Sequence, residues 1–441
     1  MSDKSSSIPK SRLGRIARLA SAGARTGASM FLNRSEQATA KSAQKTATAL
    51  GDMRALGAKV GQMLAFVDGI LPEDQQDIFA EHLKPLLEQT PTSPFPAIKA
   101  QIEAELQKPL EELFETFDET PLASASLGQV HRATLKGSKT EVAVKVLHPG
   151  IEDALKQDLK NVKLLESMAA MVGARKFDSA TMIAELKERF LEEIDYSHEA
   201  KNQKEFIEFH KHNKNIIIPH IYDSHSSTRV LTSDFLTGMT YDEACAHPDE
   251  SLRAKWCDAL WRFYYEATIV GNMFNADPHP GNYRFLPNGD VIFFDFGCVQ
   301  RQPEERSILG CKLHLAAARN DDEAFEQGCV NLMGLKGGTW QDLAIDYMRL
   351  CFEPWFNAPY RIESAYVRKV VQYLNDLKFD VMKLKDDSFV PLGEGMLFVN
   401  RLQFGFYSVL AGLNAEVDYA SIERSYLEPL EQRLKTRGLI P

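Results

Sequence analysis

The sequence predicts an α+β protein with two lobes, a small β-rich lobe and a larger helical lobe, preceded by a helical N-terminal extension. Apolar residues recur at three- and four-residue steps from Gln37 to Leu71, which is the periodicity of an amphipathic helix. After Pro121 the pattern changes to short valine-rich runs of the kind that form strands. Beyond about residue 240 the helical periodicity returns, and one predicted hairpin interrupts it.

The composition limits the classes of protein to which the chain can belong. It has 441 residues, of which 44% are hydrophobic and 25% charged, so it can bury a core divided over about two or three domains. Its net charge of -10 argues against nucleic acid as a partner. No apolar run reaches the ~20 residues that a membrane-spanning helix needs. The six cysteines are scattered without metal or redox spacing, which fits a reducing compartment.

Residues 1–36 are predicted to form a basic, flexible N-terminal segment. Lysines and arginines outnumber acids there, and serine, alanine and glycine fill most of the rest. Three interpretations stay open: a solvated tail, a basic helix lying on an anionic membrane surface, and a mitochondrial transit peptide. The corresponding locations are the cytoplasm, the periphery of the inner membrane, and the mitochondrial matrix if the source is eukaryotic.

The helical extension is predicted to cover residues 37–120. After the helix over Gln37–Leu71, a proline-rich linker at residues 90–96 leads to helical pieces at Ile98–Leu106 and Leu110–Phe117.

The small lobe is predicted at residues 121–236. It begins with a segment rich in alanine and serine, and strands follow over Val142–Leu147 and Val230–Leu236. Two long helices, at residues 151–172 and 179–211, separate these strands.

The larger lobe is predicted at residues 237–441. Two prolines and a glycine exclude a regular helix over Asn275–Asn282, so a loop is expected there. A hairpin turn is predicted at Asn288–Asp290, followed by a buried strand over Val291–Phe294 that ends at Asp295. The helices after residue 300 carry no motif that indicates a function.

Lys145 lies in the apolar run VAVKVL, where an ammonium group is costly unless it reaches a partner. A lysine on the solvent face of an edge strand would also satisfy this pattern. The pattern Val-Ala-Val-Lys matches the strand lysine with which protein kinases hold nucleotide phosphates. That interpretation requires an acid on a following helix, for which Glu193, Asp195 and Glu199 are candidates.

Asp277, Asn282 and Asp295 form the second candidate group. Asn282 follows Asp277 by five residues, and Asp295 begins an Asp-Phe-Gly after the hairpin. Kinases place an acid near the acceptor hydroxyl, an asparagine five residues later on one metal ion, and the aspartate of Asp-Phe-Gly on the other. Mg²⁺ prefers oxygen ligands from one or two protein groups plus phosphates. The combination therefore predicts ATP and Mg²⁺ as cofactors.

Three departures distinguish the chain from ordinary protein kinases. Asn275 stands two residues before Asp277, so the His-Arg-Asp form is missing. An alanine-rich segment beginning at Ala123, with Gly128 as its glycine, replaces the glycine-rich loop. No Ala-Pro-Glu follows Asp295, so the usual peptide-docking platform is not expected and protein kinase activity is doubtful.

With these departures the chain resembles the UbiB/AarF (ADCK-like) family of atypical kinase-like proteins. The resemblance implies a two-lobed, atypical protein-kinase-like fold whose helical extension carries a Lys-x-Gly-Gln motif. It spans residues 59–297 and rests on matching segments in order: KVGQ at 59–62, PLASASLGQVHRA at 121–133, VAVKVLHPGI at 142–151, EIDYSHEAKN at 193–202, ADPHPGN at 276–282 and DFG at 295–297.

The resemblance also implies roles for single residues. Lys59 would meet Glu193 or Asp195, and Gln62 would lie near the nucleotide; these four residues are the expected regulatory group. Lys145 would pair with Glu199, and both would act in catalysis with Asp277. Asn282 and Asp295 would hold the metal ion. The residues expected around the nucleotide are Ala123, Ser124, Ala125, Ser126, Gly128, Lys145, Asp234 and Leu236.

The function implied by the resemblance is that of an ATP-binding atypical kinase or ATPase that supports ubiquinone biosynthesis at a membrane surface. The expected partners are a nucleotide, a lipid or quinone intermediate, an anionic membrane surface and quinone-biosynthesis proteins. Two alternatives stay open. A nucleotide-sensing pseudokinase scaffold is disfavoured by the intact Asp277, and a small-molecule phosphotransferase is disfavoured by the KVGQ and alanine-rich segments.

Overall fold

A computed structural model describes Gln44 and residues 92–124, 127–159, 192–383 and 396–440. Several predictions fall outside these ranges. They concern the basic segment, the helix predicted over Gln37–Leu71 apart from Gln44, and the parts of the two predicted long helices that fall at residues 160–172 and 179–191. The predicted site residues outside the described ranges are Lys59, Gln62, Ala125 and Ser126.

The chain divides into two compact units. The first contains the described residues up to His198 together with Ile221–Phe235, and the second contains Glu199–His220 and the described residues from Leu236 onward. This mixture of helices with small sheets confirms the predicted α+β class.

The first unit is built on an antiparallel sheet. Its strands lie in the order β1 (Phe114–Phe117), β3 (Gly128–Leu135), β4 (Glu141–Leu147) and β6 (Val230–Asp234), and β2 (Ala123–Ser124) pairs with β3. Helices pack beside it, and the buried Ile98 and Ile102 of the first helix join the valines of β4 in one core. The helices described in this unit are α1 (Phe95–Leu106), α2 (Leu110–Leu113) and α3 (Ile151–Leu159).

Strand β1 corrects one prediction. The helix expected over Leu110–Phe117 ends at Leu113, and Phe114–Phe117 instead forms an edge strand paired with β3. Phenylalanine and threonine favour a pleated, half-buried surface, and the neighbouring strand supplies the partners that local periodicity does not reveal. Tertiary pairing therefore overrides the helical pattern of this short segment.

In the described residues, the second unit contains three small sheets beside its helices, one of which pairs β11 (Tyr360–Arg361) with β12 (Glu416–Val417). Strands β8 (Tyr283–Phe285) and β9 (Val291–Phe293) form the predicted hairpin, and β5 (Ile216–Ile217) adds to β9 in parallel. The hairpin turn contains Gly289, whose φ of 100° is a conformation that favours glycine. Strands β7 (Met273–Asn275) and β10 (Val299–Arg301) pair antiparallel. The loops that carry the predicted acidic residues thus begin or end at paired strands.

The helices of the second unit surround an aromatic core that includes the fully buried Trp256, Trp261 and Trp355. No helix among the described residues is long and apolar enough to cross a membrane. The remaining elements are α4 (Tyr196–His210), whose first residues belong to the first unit, α5 (Tyr241–Cys245), α6 (Glu250–Trp261), α7 (Ala267–Ile269), α8 (Glu304–Ala318), α9 (Asp322–Met333), α10 (Gly338–Cys351), α11 (Glu353–Phe356), β11 (Tyr360–Arg361), α12 (Ser364–Lys383), α13 (Met396–Leu413), β12 (Glu416–Val417) and α14 (Tyr419–Thr436).

A buried polar contact holds the end of α4 within the second unit. A π-helical turn at Arg262–Glu266 follows α6 and carries Glu266, which is only 5% exposed. Its carboxylate accepts hydrogen bonds from His212 Nε2 and from Asn213 Nδ2, each at 2.8 Å. Both oxygens of the buried acid therefore have partners, as a buried charge requires.

Candidate functional site

Lys145 lies at the centre of the sheet of the first unit. Its Cα is paired with Val130 of β3 and Leu231 of β6, so β4 is not an edge strand. Val144 and Val146 on either side of it are fully buried, so alternation along the strand turns Lys145 to the other face. The interpretation of Lys145 as a lysine on an edge strand is therefore wrong.

The ring of Tyr196 supports the ammonium group of Lys145. Lys145 Nζ lies 5.0 Å from the ring centroid, within the range of a cation–π interaction. Tyr196 is 4% exposed, and its backbone N–H donates to the carbonyl of Thr228 at 2.9 Å. Sequence reasoning missed Tyr196. The available signal was an aromatic residue immediately after Asp195 in a segment matched to the family.

Gly128 begins β3 where the backbone is closely packed. A Cβ at this position would lie 2.5 Å from Tyr196 Oη and 2.5 Å from the carbonyl oxygen of Val146. No side chain fits there without a shift of the sheet, so the glycine has a packing reason. Its expected contact with a nucleotide stays a prediction.

The other described residues that are predicted to contact the nucleotide lie on β2, at the end of β6, or after β6 in the chain. Ala123 and Ser124 form β2 and pair with Val130 and Gln129. Asp234 ends β6, and Leu236 is half-buried in the second unit.

Asp234 accepts a hydrogen bond from Tyr222 Oη at 2.7 Å. Burial, together with this bond and the negative charge of Asp234, raises the pKa of Tyr222 to about 12. The phenol therefore stays a hydrogen-bond donor to this carboxylate at neutral pH.

Asn275 links the two acidic positions of the second unit. Its Oδ1 accepts from the backbone N–H of Asp277 at 3.0 Å, and its Nδ2 donates to the backbone carbonyl of Asp295 at 2.8 Å. Asn275 is 3% exposed, so it makes both bonds in a dry environment. In the sequence Asn275 is only a departure from His-Arg-Asp, whereas in the structure it connects the backbone of Asp277 to that of Asp295.

Asn282 completes this group. It ends a 3₁₀ turn at Pro280–Asn282, and its Nδ2 lies 3.2 Å from the Asp277 carbonyl oxygen and 3.3 Å from Asp277 Oδ2. The amide of Asn282 therefore directs its Nδ2 to Asp277, and its Oδ1 is the atom that could bind a cation. His279 accepts from the backbone N–H of Gly281 at 3.0 Å, which is a loop-holding contact.

Asp295 has an unusual backbone conformation. Its φ is 59°, in the left-handed region that residues other than glycine rarely adopt. Its Oδ1 accepts from the backbone N–H of Gly297 at 3.1 Å. Phe296 beside it is fully buried against Phe206 and Phe263.

The loop around Asp277 rests on a buried support. Tyr264 and Tyr283 hydrogen-bond to each other, and burial holds the pKa of both phenols far above the ordinary value. The carboxylate of Asp277 adds to this effect on both pKa values. Pro278 lies so close to Gly405 of α13 that a Cβ on Gly405 would be 2.8 Å from Pro278 Cγ. This contact assigns a supporting role to one helix after residue 300.

The three acids near the start of α4 differ in their surroundings. Asp195 Oδ1 accepts from the N–H of Ser197 at 2.9 Å and from its hydroxyl at 2.6 Å, as a residue that begins a helix does. Glu193 is half-buried in the turn before it. Glu199 is 6% exposed, and its Oε2 would lie 3.9 Å from a Cβ on Gly297. Its pairing with Lys145 stays a prediction, because the two residues belong to different units.

The side-chain oxygen atoms of Asn282 and Asp295 are of the type that binds a hard divalent cation. Asn282 offers an amide oxygen and Asp295 a carboxylate, which suit Mg²⁺ when phosphates complete its coordination. In the described part of the chain, no group of three or more histidines, cysteines, aspartates and glutamates could hold a metal ion. A cage made entirely of such protein ligands is therefore not supported there.

The comparisons with known proteins agree with this arrangement. Residues 85–328 match the ABC1 atypical kinase-like domain. The protein ACTIVITY OF BC1 COMPLEX KINASE 3, chloroplastic, of Arabidopsis thaliana is 33% identical over 264 residues, which cover 58% of this chain and 36% of that protein. AarF domain-containing protein kinase 1 of Mus musculus is 30% identical over 309 residues, covering 68% of this chain and 57% of that protein. The alignments thus cover less than two thirds of either relative.

A solved structure shows the same fold. The erythromycin complex of Rv3197 from Mycobacterium tuberculosis superposes with a TM-score of 0.62 and 24% identity, covering 85% of this chain and 92% of that one. Together with the match to the ABC1 atypical kinase-like domain, this likeness confirms the predicted kinase-like fold. The ABC1 match covers more than half of the sequence and includes Lys145, Asp277, Asn282 and Asp295, so the chain belongs to the ABC1/AarF family of atypical kinase-like proteins.

Proposed function

We propose that the protein binds Mg·ATP, acts as an atypical kinase or ATPase, and supports quinone lipid biosynthesis at a membrane surface. One observation carries the nucleotide part of this proposal. Asn275 bonds to the backbone of both Asp277 and Asp295, and Asn282 bonds to Asp277, so the loops that carry these three hard-ligand residues are tied together. Their order along the chain is the one that phosphoryl transfer of the kinase type uses.

Each residue has a defined part in the proposed reaction. Asn282 Oδ1 and the Asp295 carboxylate hold Mg²⁺, which supplies charge neutralisation at the phosphate oxygens when it is bound. The role proposed for Lys145 is to neutralise the phosphates, with its ammonium held over the Tyr196 ring. Asp277 orients or deprotonates the acceptor hydroxyl. Catalysis then rests on positioning and on charge, with little covalent chemistry from the protein.

The acceptor is proposed to be water or a small hydroxyl group on a lipid or quinone intermediate. The missing Ala-Pro-Glu after Asp295 supports this choice over a protein substrate. The names of the Arabidopsis thaliana relatives include the word chloroplastic, which supports an organellar location.

The experiment measures Mg²⁺-dependent ATP hydrolysis by the purified protein with and without vesicles of anionic phospholipid. We expect turnover that rises with the vesicles and falls by ~10²-fold or more in Asp277→Asn, since a positioned acid-base group contributes at least that much. A basal rate that is identical in Asp277→Asn would contradict the assigned role of Asp277.

The same experiment separates the alternatives. Nucleotide binding without turnover under any condition would indicate a pseudokinase scaffold. A phosphorylated product from a panel of small alcohols, independent of vesicles, would indicate a small-molecule phosphotransferase.

A further inference from the structure

The side chain of Asn202, in the middle of α4, reaches the Asp-Phe-Gly segment. Its Nδ2 donates to the backbone carbonyl of Phe296 at 2.9 Å, across 94 positions of sequence. Asn202 is 9% exposed, and this hydrogen bond is buried. The bond acts on the Phe296–Gly297 peptide unit, the second one after the Asp295 α-carbon.

The backbone of Asp295 needs such support. A φ of 59° costs free energy in a non-glycine residue, though less in aspartate than in most, so hydrogen bonds that hold the peptide units after Asp295 help to maintain it. Two successive carbonyls are held here by two buried amides, because Asn275 donates to the carbonyl of Asp295 and Asn202 donates to that of Phe296. Asn275 and Asn202 thus form an amide clamp on the two successive peptide units that follow the Asp295 α-carbon.

Arg301 sets the orientation of the Asn202 amide. Arg301 Nη2 donates to Asn202 Oδ1 at 3.0 Å and also pairs with Glu205 Oε2 at 2.5 Å. Since Oδ1 of the amide is occupied by Arg301, Nδ2 is the atom that faces Phe296. Arg301 lies on β10, directly after the Asp-Phe-Gly segment, so both ends of the contact are tied to that segment.

We propose that Asn202 is a positioning residue for Asp295: it fixes the Phe296 carbonyl and thereby keeps the Asp295 carboxylate in the orientation that binds the cation. The part of this proposal that concerns the cation rests on the proposed function. Loss of the amide would leave the Phe296 carbonyl without its donor and let the Asp-Phe-Gly backbone relax. An aspartate at position 202 would place a second acceptor against that carbonyl, so it would not substitute for the amide.

Gln203 provides a matched control. It follows Asn202 on the same helix, is 4% exposed, and donates through Nε2 to the carbonyl of Pro219 at 2.7 Å. Replacing either residue by alanine removes one buried amide-to-carbonyl hydrogen bond. A purely structural role predicts similar behaviour for the two variants, whereas a positioning role predicts a difference confined to Asn202.

The test compares Asn202→Ala, Asn202→Asp and Gln203→Ala in the full chain by two readouts. The first is hydrogen exchange at the amides of Phe294 and Gly297, which donate to Asn282 and Asp295. The second is the gain in ATP affinity when Mg²⁺ is added, measured by calorimetry. We expect faster exchange and a loss of about tenfold in the Mg²⁺-dependent gain in both Asn202 variants, with neither change in Gln203→Ala.

The outcomes are separable. Equal exchange in Asn202→Ala and Gln203→Ala would overturn the clamp, and faster exchange with an unchanged Mg²⁺ effect would overturn its role toward the cation. If the unaltered protein shows no Mg²⁺ effect, the proposed function fails together with the cation part, and exchange still decides the clamp. Should the Asn202 variants fail to fold, Arg301→Ala changes a half-exposed side chain and is expected to give a smaller effect in the same direction.

Discussion

The lysine region of the first unit and the acidic loops of the second unit hold their functional side chains by different means. Lys145 is positioned by strand register and by the packed ring of Tyr196. Asp277 and Asp295 are positioned by buried amides bonded to backbone groups. A packed region tolerates the loss of a polar atom better than added volume, whereas a hydrogen-bonded loop is most sensitive to the loss of a donor or a charge.

The largest effect is expected from Asp295→Asn, which tests the hydrogen-bonded side of the comparison. The change keeps the shape but removes the charge that the proposed cation requires. Residues that only orient the ligands of a metal site already contribute roughly 10–100-fold to metal affinity. Removing the charge of a ligand itself should therefore lower the Mg²⁺-dependent part of ATP affinity by at least about 100-fold. Calorimetric titration with ATP in the presence and absence of Mg²⁺ measures it.

Asp290→Asn is the control for this prediction. Asp290 is an aspartate in the nearby hairpin turn, accepts a hydrogen bond from Asn288 Nδ2, and is not one of the proposed cation ligands. Unchanged Mg·ATP affinity in the Asp295 variant would remove Asp295 from the set of ligands.

The next largest effect tests the packed lysine region of the first unit. Gly128→Ala places a methyl group 2.5 Å from the Val146 carbonyl oxygen and from Tyr196 Oη, so the sheet must shift. Overpacking of this kind lowers the free energy of unfolding by about 1–3 kcal/mol, which denaturant titration measures.

Gly310→Ala is the matched glycine substitution on α8, where the nearest atom to the added Cβ is 4.0 Å away. Alanine is the better helix former, so this variant should be as stable as the original protein or more stable. An undisturbed Gly128→Ala would show that the packing around Lys145 is looser than the distances indicate.

A pH dependence is expected from His210 at the end of α4. Burial is the main cause that lowers its pKa to about 3 in the folded protein, with a smaller contribution from His212, against about 6.5 when unfolded. The unfolded chain therefore takes up the proton first as the pH falls below 6.5. Stability contributed by the neutral ring is present above pH 6.5 and is lost towards pH 3, at up to about 1.4 kcal/mol per pH unit.

His210→Phe should flatten this part of the curve of unfolding free energy against pH, because the ring already packs among Phe206, Phe209 and Phe263. Parallel curves for the two proteins between pH 4 and 6.5 would contradict the lowered pKa.

The smallest effect concerns the ring below Lys145. Tyr196→Phe keeps the aromatic face and Tyr196→Leu removes it, so the two variants separate the cation–π interaction from simple packing. We expect a decrease of about fivefold in Mg·ATP affinity for the leucine variant and little change for the phenylalanine variant. Equal affinities in the two variants would mean that Tyr196 acts only by filling space.

The positions that carry chemistry could be found from the sequence, but the residues that support them could not. Lys145 was recognised because a charge inside an apolar strand is unusual, and Asp277, Asn282 and Asp295 because their spacing is short and local. Asn202 donates to a carbonyl 94 positions away, and although it ends the matched segment at 193–202, nothing in that segment indicates its partner. Asn275 was visible only as a departure from the expected motif.

Local sequence determined the features that depend on near neighbours. The turn at Gly289, the valine alternation of β4 and the proline-interrupted loop before Asn282 follow from backbone sterics and from the two-residue period of a strand. The tertiary structure alone decided that Phe114–Phe117 is a strand, that Tyr196 lies under Lys145, and that two amides hold the strained Asp295. These contacts join residues far apart in sequence, and their energies exist only after the chain has brought them together.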